Sequence, residues 1–221
     1  MQHVMEVLLK TREVTRTRGR PRKGTERNEE TLLEAALDAF AKHGFDKTSL
    51  RSIAAAANID VALIAYRYGS KLELWKAVVE RFSRETIASL TSLQVDHADV
   101  STGSRLDLAI EQLIALACQR PQFPQFIVKE LVKGEESEQV ALLHSALTDP
   151  LRQILVPLIE TAHREVGDPR FDANFAFFAA IGAMAMTLVT REQIARFVPA
   201  AGNDDQMRRR LVTVMRAILC S

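Results

Sequence analysis

Apolar residues recur at every third or fourth position along most of this 221-residue chain, and this spacing constrains the fold more than any other feature. Such spacing places the apolar side chains on one face of an α-helix. The first example runs from residue 29 to residue 43, with apolar positions at Leu32, Leu33, Ala36, Leu37, Phe40 and Ala41. No segment alternates polar and apolar residues as a half-buried strand does. The sequence therefore predicts an all-α fold.

Residues that start and stop helices divide this pattern into nine helices, three short ones followed by six longer ones. Gly44 ends the first, Thr48 is the expected N-cap of the second, and Asp60 is that of the third. Ser70 and Glu73 have the spacing of a capping box that opens the fourth. The predicted helices cover residues 29–43, 49–57, 61–68, 71–93, 105–120, 123–132, 138–165, 172–197 and 205–219.

The net charge of +1 conceals a basic N-terminal segment. Residues 1–27 hold eight Lys or Arg against three Glu, a local charge of +5, so the other residues together carry −4. No large apolar residue follows Val14 within this segment. We expect residues 1–24 to be a flexible basic arm that meets a polyanion.

The sequence lacks the residues that several classes of protein function require. Cys118 and Cys220 cannot build a disulfide framework, and the sequence holds no H-E-x-x-H, G-x-S-x-G or Walker motif. The longest apolar run, residues 175–189, is shorter than the roughly 20 residues that span a bilayer. We expect a soluble cytoplasmic protein without membrane contact, catalytic site, metal or cofactor. Two alternatives are a metal-binding turn at residues 96–99 and a redox-sensing Cys118, although a solvated turn and a buried thiol are commoner.

Two of the short helices, joined at Asn58 and Ile59, have the pattern of a helix-turn-helix. The second, residues 61–68, is short enough to lie in the major groove of DNA, which is about 12 Å wide. Periodicity alone is a weak signal here, because many helical hairpins share it.

Four spaced segments make the signal specific. They are Leu32-Leu33-Glu34-Ala35-Ala36 with Phe40, Gly44-Phe45, residues 48–57, and Tyr68-Gly69-Ser70-Lys71. In this order they resemble the TetR family of bacterial transcriptional regulators over residues 27–85. The resemblance implies a DNA-binding domain at residues 25–85 and, at residues 86–221, a helical domain that binds a small effector and dimerises. It also implies a double-stranded DNA operator as partner and, in the usual mode of the family, repression.

The resemblance assigns candidate DNA contacts residue by residue. Thr48, Tyr66 and Lys71 occupy positions that contact phosphates, whereas base contacts come from the start of the third helix. The candidates for base contact are Val61, Ala62 and Leu63, together with Arg51 and Arg67.

The third helix departs from the common family pattern. Many relatives have Gly-Thr-Leu-Tyr where this chain has Ala62-Leu63-Ile64-Ala65, so two hydroxyl groups are missing. This form is similar to a CecR-like branch of the family. Readout is then expected to use thymine methyl groups, Arg51 and DNA shape. For Arg51 a solvated helix face is an equal alternative, and Tyr68 and Trp75 are expected to be core residues.

The basic arm contains Arg18-Gly19-Arg20-Pro21, which resembles an AT-hook. Gly19 permits close approach and Pro21 keeps the chain extended, so Arg18 and Arg20 could enter an A/T minor groove. The alternative is a disordered basic tail near phosphates. An architectural A/T-tract binder without an effector is therefore the competing function.

The C-terminal helices carry the expected dimer contact and effector pocket. Residues 172–197 lack a polar face, so this helix must be covered on two sides. One side packs on the core of the domain, and a homodimer through this helix and the last helix covers the other. The alternative is a buried central helix in a monomer. Pro157 predicts a kink that borders the pocket. Six residues are candidate lining for a hydrophobic or aromatic effector: Phe123, Phe126, His144, Leu147, Phe175 and Phe178.

Overall fold

A computed structural model describes residues 23–97, 99–133, 137–164 and 171–219, with side chains from residue 28 onwards except that of Arg164. The chain divides into two units, Met1–Thr31 and Leu32–Ser221. Within the first unit, the described residues 23–31 form the start of helix α1. All other elements belong to the second unit. Every element in the described ranges is helical, as the apolar spacing predicts.

Four helices form the N-terminal part. They are α1 (Lys23–Lys47), α2 (Leu50–Ala57), α3 (Val61–Tyr68) and α4 (Lys71–Asp96). Helix α1 begins six residues earlier than predicted, so the last two residues of the predicted flexible arm, 23 and 24, are helical. Gly44 has φ +79° and breaks α1 near the predicted end of the first helix.

Local caps fix the two helices of the helix-turn-helix. The N-cap of α2 is Ser49 and not Thr48: the Ser49 hydroxyl accepts the Ser52 N–H at 3.1 Å, and the Ser52 hydroxyl accepts the Ser49 N–H at 3.2 Å. Asn58 closes α2 in the left-handed conformation, with φ 54°. The predicted cap of α3 is confirmed, since the Asp60 carboxylate accepts the Ala62 N–H at 2.8 Å.

The C-terminal part holds the remaining elements. They are α5 (Thr102–Gln119), α6 (Gln122–Leu131), α7 (Glu138–Leu143), a π-helical turn (His144–Thr148), α8 (Asp149–Arg164), α9 (Ala173–Val189), α10 (Arg191–Ala195), a 3-10 turn (Pro199–Gly202) and α11 (Asp204–Leu219). The single helix predicted for residues 138–165 is thus divided, and so is that for 172–197. Pro150 explains the first division: it has no N–H for the Ala146 carbonyl, and its ring crowds that group, which favours a wider turn just before it. Pro157 lies within α8, is exposed, and does not line the cavity described below, so the prediction that it borders the pocket was wrong.

One apolar core joins α1 to α11 within the second unit. Its aromatic centre is Trp75 on α4, fully buried, with the Phe126 ring 5.2 Å from the indole centroid and the Phe45 ring edge-on at 6.4 Å. Trp75 is thus a core residue, as expected. Across the described ranges, no helix is both long and apolar enough to cross a membrane.

Candidate nucleic-acid interface and effector cavity

Helix α3 packs on the core with one face and exposes the opposite face to solvent. Ile64 is fully buried, whereas Ala62, Leu63 and Tyr66 are exposed, and the exposed fraction of Tyr66 reaches 91%. Ala62 and Tyr66 are four residues apart and therefore share a helix face. Val61 is half-buried and supports the start of the helix. Three of the predicted contact residues therefore form one outward surface.

The two arginines near this surface differ. Arg51 on α2 is exposed, whereas Arg67 is half-buried and takes part in an intramolecular interaction. Tyr68, expected between the third and fourth helices, is half-buried against the core. Arg51 is therefore the better placed of the two arginines to reach a base or a phosphate.

Thr48 is turned away from solvent. Its exposed fraction is 4%, and its hydroxyl lies 2.7 Å from the Gly44 carbonyl, to which it donates. Its N–H donates to the Phe45 carbonyl at 3.3 Å. The hydroxyl and the N–H of Thr48, the residue expected to contact a DNA phosphate, are thus hydrogen-bonded within the protein. The exposed hydroxyl at this helix start belongs to Ser49, a residue that the sequence reasoning passed over because Thr48 fits the family pattern.

Lys71 is likewise bonded within the protein. Its ammonium group donates to the carbonyls of Phe45 at 2.8 Å and Thr48 at 3.0 Å, and it lies 4.3 Å from the centroid of the Phe45 ring. These contacts join the start of α4 to the last turn of α1 and to Thr48, which lies between α1 and α2. Lys71 therefore fixes the angle of the helix-turn-helix against α4.

The predicted minor-groove residues Arg18 and Arg20 lie outside the described residues. The exposed face of α3 carries few hydrogen-bonding side chains, and the hydroxyl on this face is that of Tyr66. Such a face suits apolar contact with thymine methyl groups more than bidentate reading of guanine.

A cavity of about 330 Å³ lies among α4, α5, α6, the π-helical turn, α8 and α9. Four of the predicted lining residues border it: Phe123, His144, Leu147 and Phe178. The expectation was wrong for two others. Phe126 is buried in the core between Phe40 and Trp75, and Phe175 is 74% exposed on the outer face of α9. A helix with apolar residues on all sides does not reveal which side faces a cavity.

Sequence reasoning missed the charged part of this cavity. Arg120 borders it and donates through Nε to Glu34 at 3.1 Å and through Nη1 to Glu85 at 3.1 Å. Its guanidinium carbon lies 5.1 Å from the centroid of the Phe82 ring. From the sequence, Arg120 is predicted only to be a polar residue at the end of a helix, before Pro121. A cation in the wall of an apolar cavity gives it one polar end.

Cys118 is half-buried near this region and is not activated. Burial raises the pKa of its thiol, and the nearby Arg191 and Arg208 offset only part of that effect. A raised pKa lowers the thiolate fraction on which redox reactivity depends. Among the described side chains, no group of three or more His, Cys, Asp or Glu is placed to hold a metal ion.

The comparisons with known proteins agree with the geometry of the N-terminal helices. Residues 32–78 match the model of the bacterial regulatory proteins of the tetR family. The HTH-type transcriptional regulator RutR of Escherichia coli O157:H7 is 26% identical over 149 residues, which are 66% of this chain. The chain spans only 65% of the length of RutR. The HTH-type transcriptional repressor NicS of Pseudomonas putida is 26% identical over 151 residues, 66% of this chain and 68% of NicS.

The fold likeness extends further along the chain. A TetR-like transcriptional regulator from Rhodococcus sp. RHA1 superimposes with a TM-score of 0.63 at 22% identity, over 90% of this chain and 98% of that one. The matched segment, residues 32–78, contains α2, α3 and the capped start of α4. On these findings, the helix-turn-helix segment matches the tetR family model, and the fold of the longer chain is similar to that of a TetR-like transcriptional regulator.

Proposed function

We propose that this chain is a repressor that binds a palindromic DNA operator as a homodimer and is released by a small apolar effector. The observation that carries the proposal is the course of α4. Its first residue, Lys71, holds the helix-turn-helix, and its later residues Phe82, Glu85 and Thr86 border the cavity. One helix thus connects the surface that would read DNA to the space that would hold a ligand.

The proposed DNA contacts follow from the exposed groups. Ala62 and Leu63 enter the major groove, Tyr66 and Ser49 bond to phosphates, and Arg51 reaches the adjoining backbone or base edge. Arg18 and Arg20 of the arm bind the flanking minor groove. Lys71 holds Phe45 and Thr48, before α2, against the start of α4 and takes no direct phosphate contact.

The proposed dimer uses α9 and α11, which pack against each other. Phe175, Phe178 and Met186 are exposed along α9 at helical spacing, and Val214 is exposed on α11. Phe178 and Met186 also border the cavity, whereas Phe175 and Val214 do not. Exposed apolar side chains on two helices that pack together are typical of a protein interface. Twofold symmetry brings two α3 helices to half-sites about one DNA turn apart.

Release then follows from a population shift. The effector binds better to the conformation in which α4 is tilted, and tilting changes the separation of the two α3 helices. Because the lining is mostly apolar and the cavity is at the small end of ligand pockets, the effector is a small hydrophobic molecule.

The test begins with selection of bound sequences from random DNA, followed by fluorescence anisotropy on the selected site and a ligand screen for release. A palindromic site released by a small apolar molecule supports the proposal. Binding to any A/T tract without release supports an architectural protein instead. Tyr66→Ala is expected to weaken operator binding roughly tenfold, whereas Phe197→Ala, which removes an equally exposed aromatic ring outside α3, leaves it unchanged.

A further inference from the structure

Three polar residues that border the cavity, Glu85, Thr86 and Arg120, differ in how fully their hydrogen-bonding groups are used; the other two, His144 and Thr148, lie on the π-helical turn. The Thr86 hydroxyl donates to the Phe82 carbonyl at 2.9 Å within α4. Both oxygens of Glu85 accept bonds, one from Arg81 Nε at 3.0 Å and one from Arg120 Nη1 at 3.1 Å. Arg120 has five N–H groups and uses two, so three remain without a partner among the described residues. The unused hydrogen-bonding capacity at this end of the cavity is therefore that of a donor.

We propose that the effector is an apolar carboxylic acid whose carboxylate binds Arg120 in competition with Glu34. This inference rests on the proposed function, since it names the ligand of the same cavity. A guanidinium donates two parallel bonds to a carboxylate, a geometry that lysine does not offer. The apolar part of the acid then lies against the rest of the lining, which includes Leu113, Leu116, Ile127, Leu151 and Ile181.

The charges of the wall favour an anion over a cation. A charged group placed against apolar side chains is costly unless it is paired. A cationic ligand would need Glu85, which already pairs with two arginines. A single carboxylate carries one charge and matches Arg120, whereas a phosphate dianion would leave one charge unmatched.

The competition with Glu34 gives ligand binding a route to the DNA-binding helices. Glu34 lies on α1, and its ion pair with Arg120 joins α1 to the end of α5. Both side chains are more than a third exposed, so the pair contributes little to stability and is readily exchanged. When a ligand carboxylate takes over Arg120, this link between α1 and the cavity wall is lost.

The experiment is calorimetric titration of the full chain, without DNA, by matched probes. Dodecanoate is compared with dodecanol and dodecyl phosphate, and naphthoate with naphthalenemethanol. At least one carboxylate should bind more tightly than its alcohol, and dodecyl phosphate should bind more weakly than dodecanoate. Arg120→Gln should weaken binding of the acid roughly tenfold or more and leave binding of the alcohol unchanged.

Two further variants make the test specific. Glu34→Gln removes the competitor and should tighten acid binding by up to about fivefold. Arg81 also pairs with Glu85 but does not border the cavity. Arg81→Gln should therefore leave acid binding unchanged. The inference is overturned if neither acid binds, if acids and alcohols bind alike, if Arg120→Gln has no effect on the acid, or if Glu34→Gln fails to tighten it.

Operator release separates this inference from the proposed function. If acid and alcohol release the operator equally well, the repressor proposal stands and the carboxylate site fails. If acids bind through Arg120 but never release DNA, the carboxylate site stands and the ligand-released repressor fails.

Discussion

The ammonium group of Lys71, at the start of α4, contacts both Phe45 at the end of α1 and Thr48 before α2. Its N–H groups donate to the carbonyls of Phe45 and Thr48, which follow the break in α1; the Phe45 carbonyl also accepts the Thr48 N–H. The charge also lies over the Phe45 ring, and that ring contacts Trp75 edge-on. A single side chain thus sets where α1 ends relative to where α4 begins.

Replacing Lys71 with Met tests this role at constant side-chain length. The loss of bonds from a charged donor to partly buried carbonyls should lower the free energy of unfolding by about 1.5–3 kcal/mol, measured by urea denaturation. Lys76→Met is the matched control. Its ammonium pairs with the exposed Glu73 and Glu138, so the loss should be smaller. Equal effects of the two variants would contradict the structural role of Lys71.

The apolar face of α3 predicts which atoms of the operator matter. Ala62 and Leu63 can contact the C5 methyl of thymine, which uracil lacks. Substituting deoxyuridine for single thymines in the selected operator should therefore weaken binding by up to about 1 kcal/mol at the contacted positions, by the value of one buried methyl or methylene group. The measurement is anisotropy on singly substituted duplexes. Thymines outside the half-sites serve as the control, and a uniform lack of effect would show that the readout is not by methyl contact.

At the scale of the element, α3 is eight residues long and depends on its ends. Isolated helices of this length are not stable in water, so the caps and the burial of Ile64 hold it. The N-cap Asp60 also places a negative charge at the helix N-terminus, where the helix dipole favours it.

Asp60→Ala should lower the free energy of unfolding by about 1 kcal/mol and weaken operator binding through fraying of α3. Asp60→Asn keeps a comparable cap, so stability should be nearly retained. Urea denaturation and anisotropy on both variants separate the cap from the charge. If Asn destabilises as much as Ala, the hydrogen bond to Ala62 is not what holds the helix.

At the scale of the whole molecule, the exposed face of α9 predicts the oligomeric state. Phe175→Glu places a charge in the proposed dimer interface and should convert dimer to monomer in analytical ultracentrifugation. Val95→Glu, at an equally exposed apolar position on α4, should leave the dimer intact. A dimer that survives the first substitution would place the interface elsewhere.

The basic arm, of which residues 1–22 lie outside the described residues, predicts the salt dependence of operator binding. Each phosphate that the arm neutralises contributes about −0.9 to the slope of log K against log salt. Deleting residues 1–24 should therefore flatten the slope and weaken binding in an anisotropy titration. Arg18→Gln with Arg20→Gln should cost more affinity on A/T-rich flanks than on G/C-rich flanks if these residues enter the minor groove. An unchanged slope after deletion would show that the arm does not touch the DNA.

How far the sequence predicts this molecule depends on the kind of signal. Apolar spacing and caps such as Asp60 are local, and they predict the helix class and the bounds of α3 correctly. The direction of a side chain depends on tertiary packing, which explains why Thr48 turned out buried and why Phe126 and Phe175 do not border the cavity. Arg120 could not be found from the sequence, since its partners Glu34 and Glu85 are 86 and 35 positions away.

The position of Trp75 has a consequence for folding. Its indole lies between Phe45, beside the helix-turn-helix, and Phe126, whose ring is 6.3 Å from that of the cavity residue Phe123. Cutting the chain at residue 85 would remove α6 and leave the inner face of Trp75 exposed to water. The helix-turn-helix therefore shares its core with α6, and we expect residues 1–85 alone to be less stable than the full chain. Because α1 to α4 share one core with the helices that line the cavity, we expect a ligand bound in the cavity to raise the unfolding temperature of the helix-turn-helix as well.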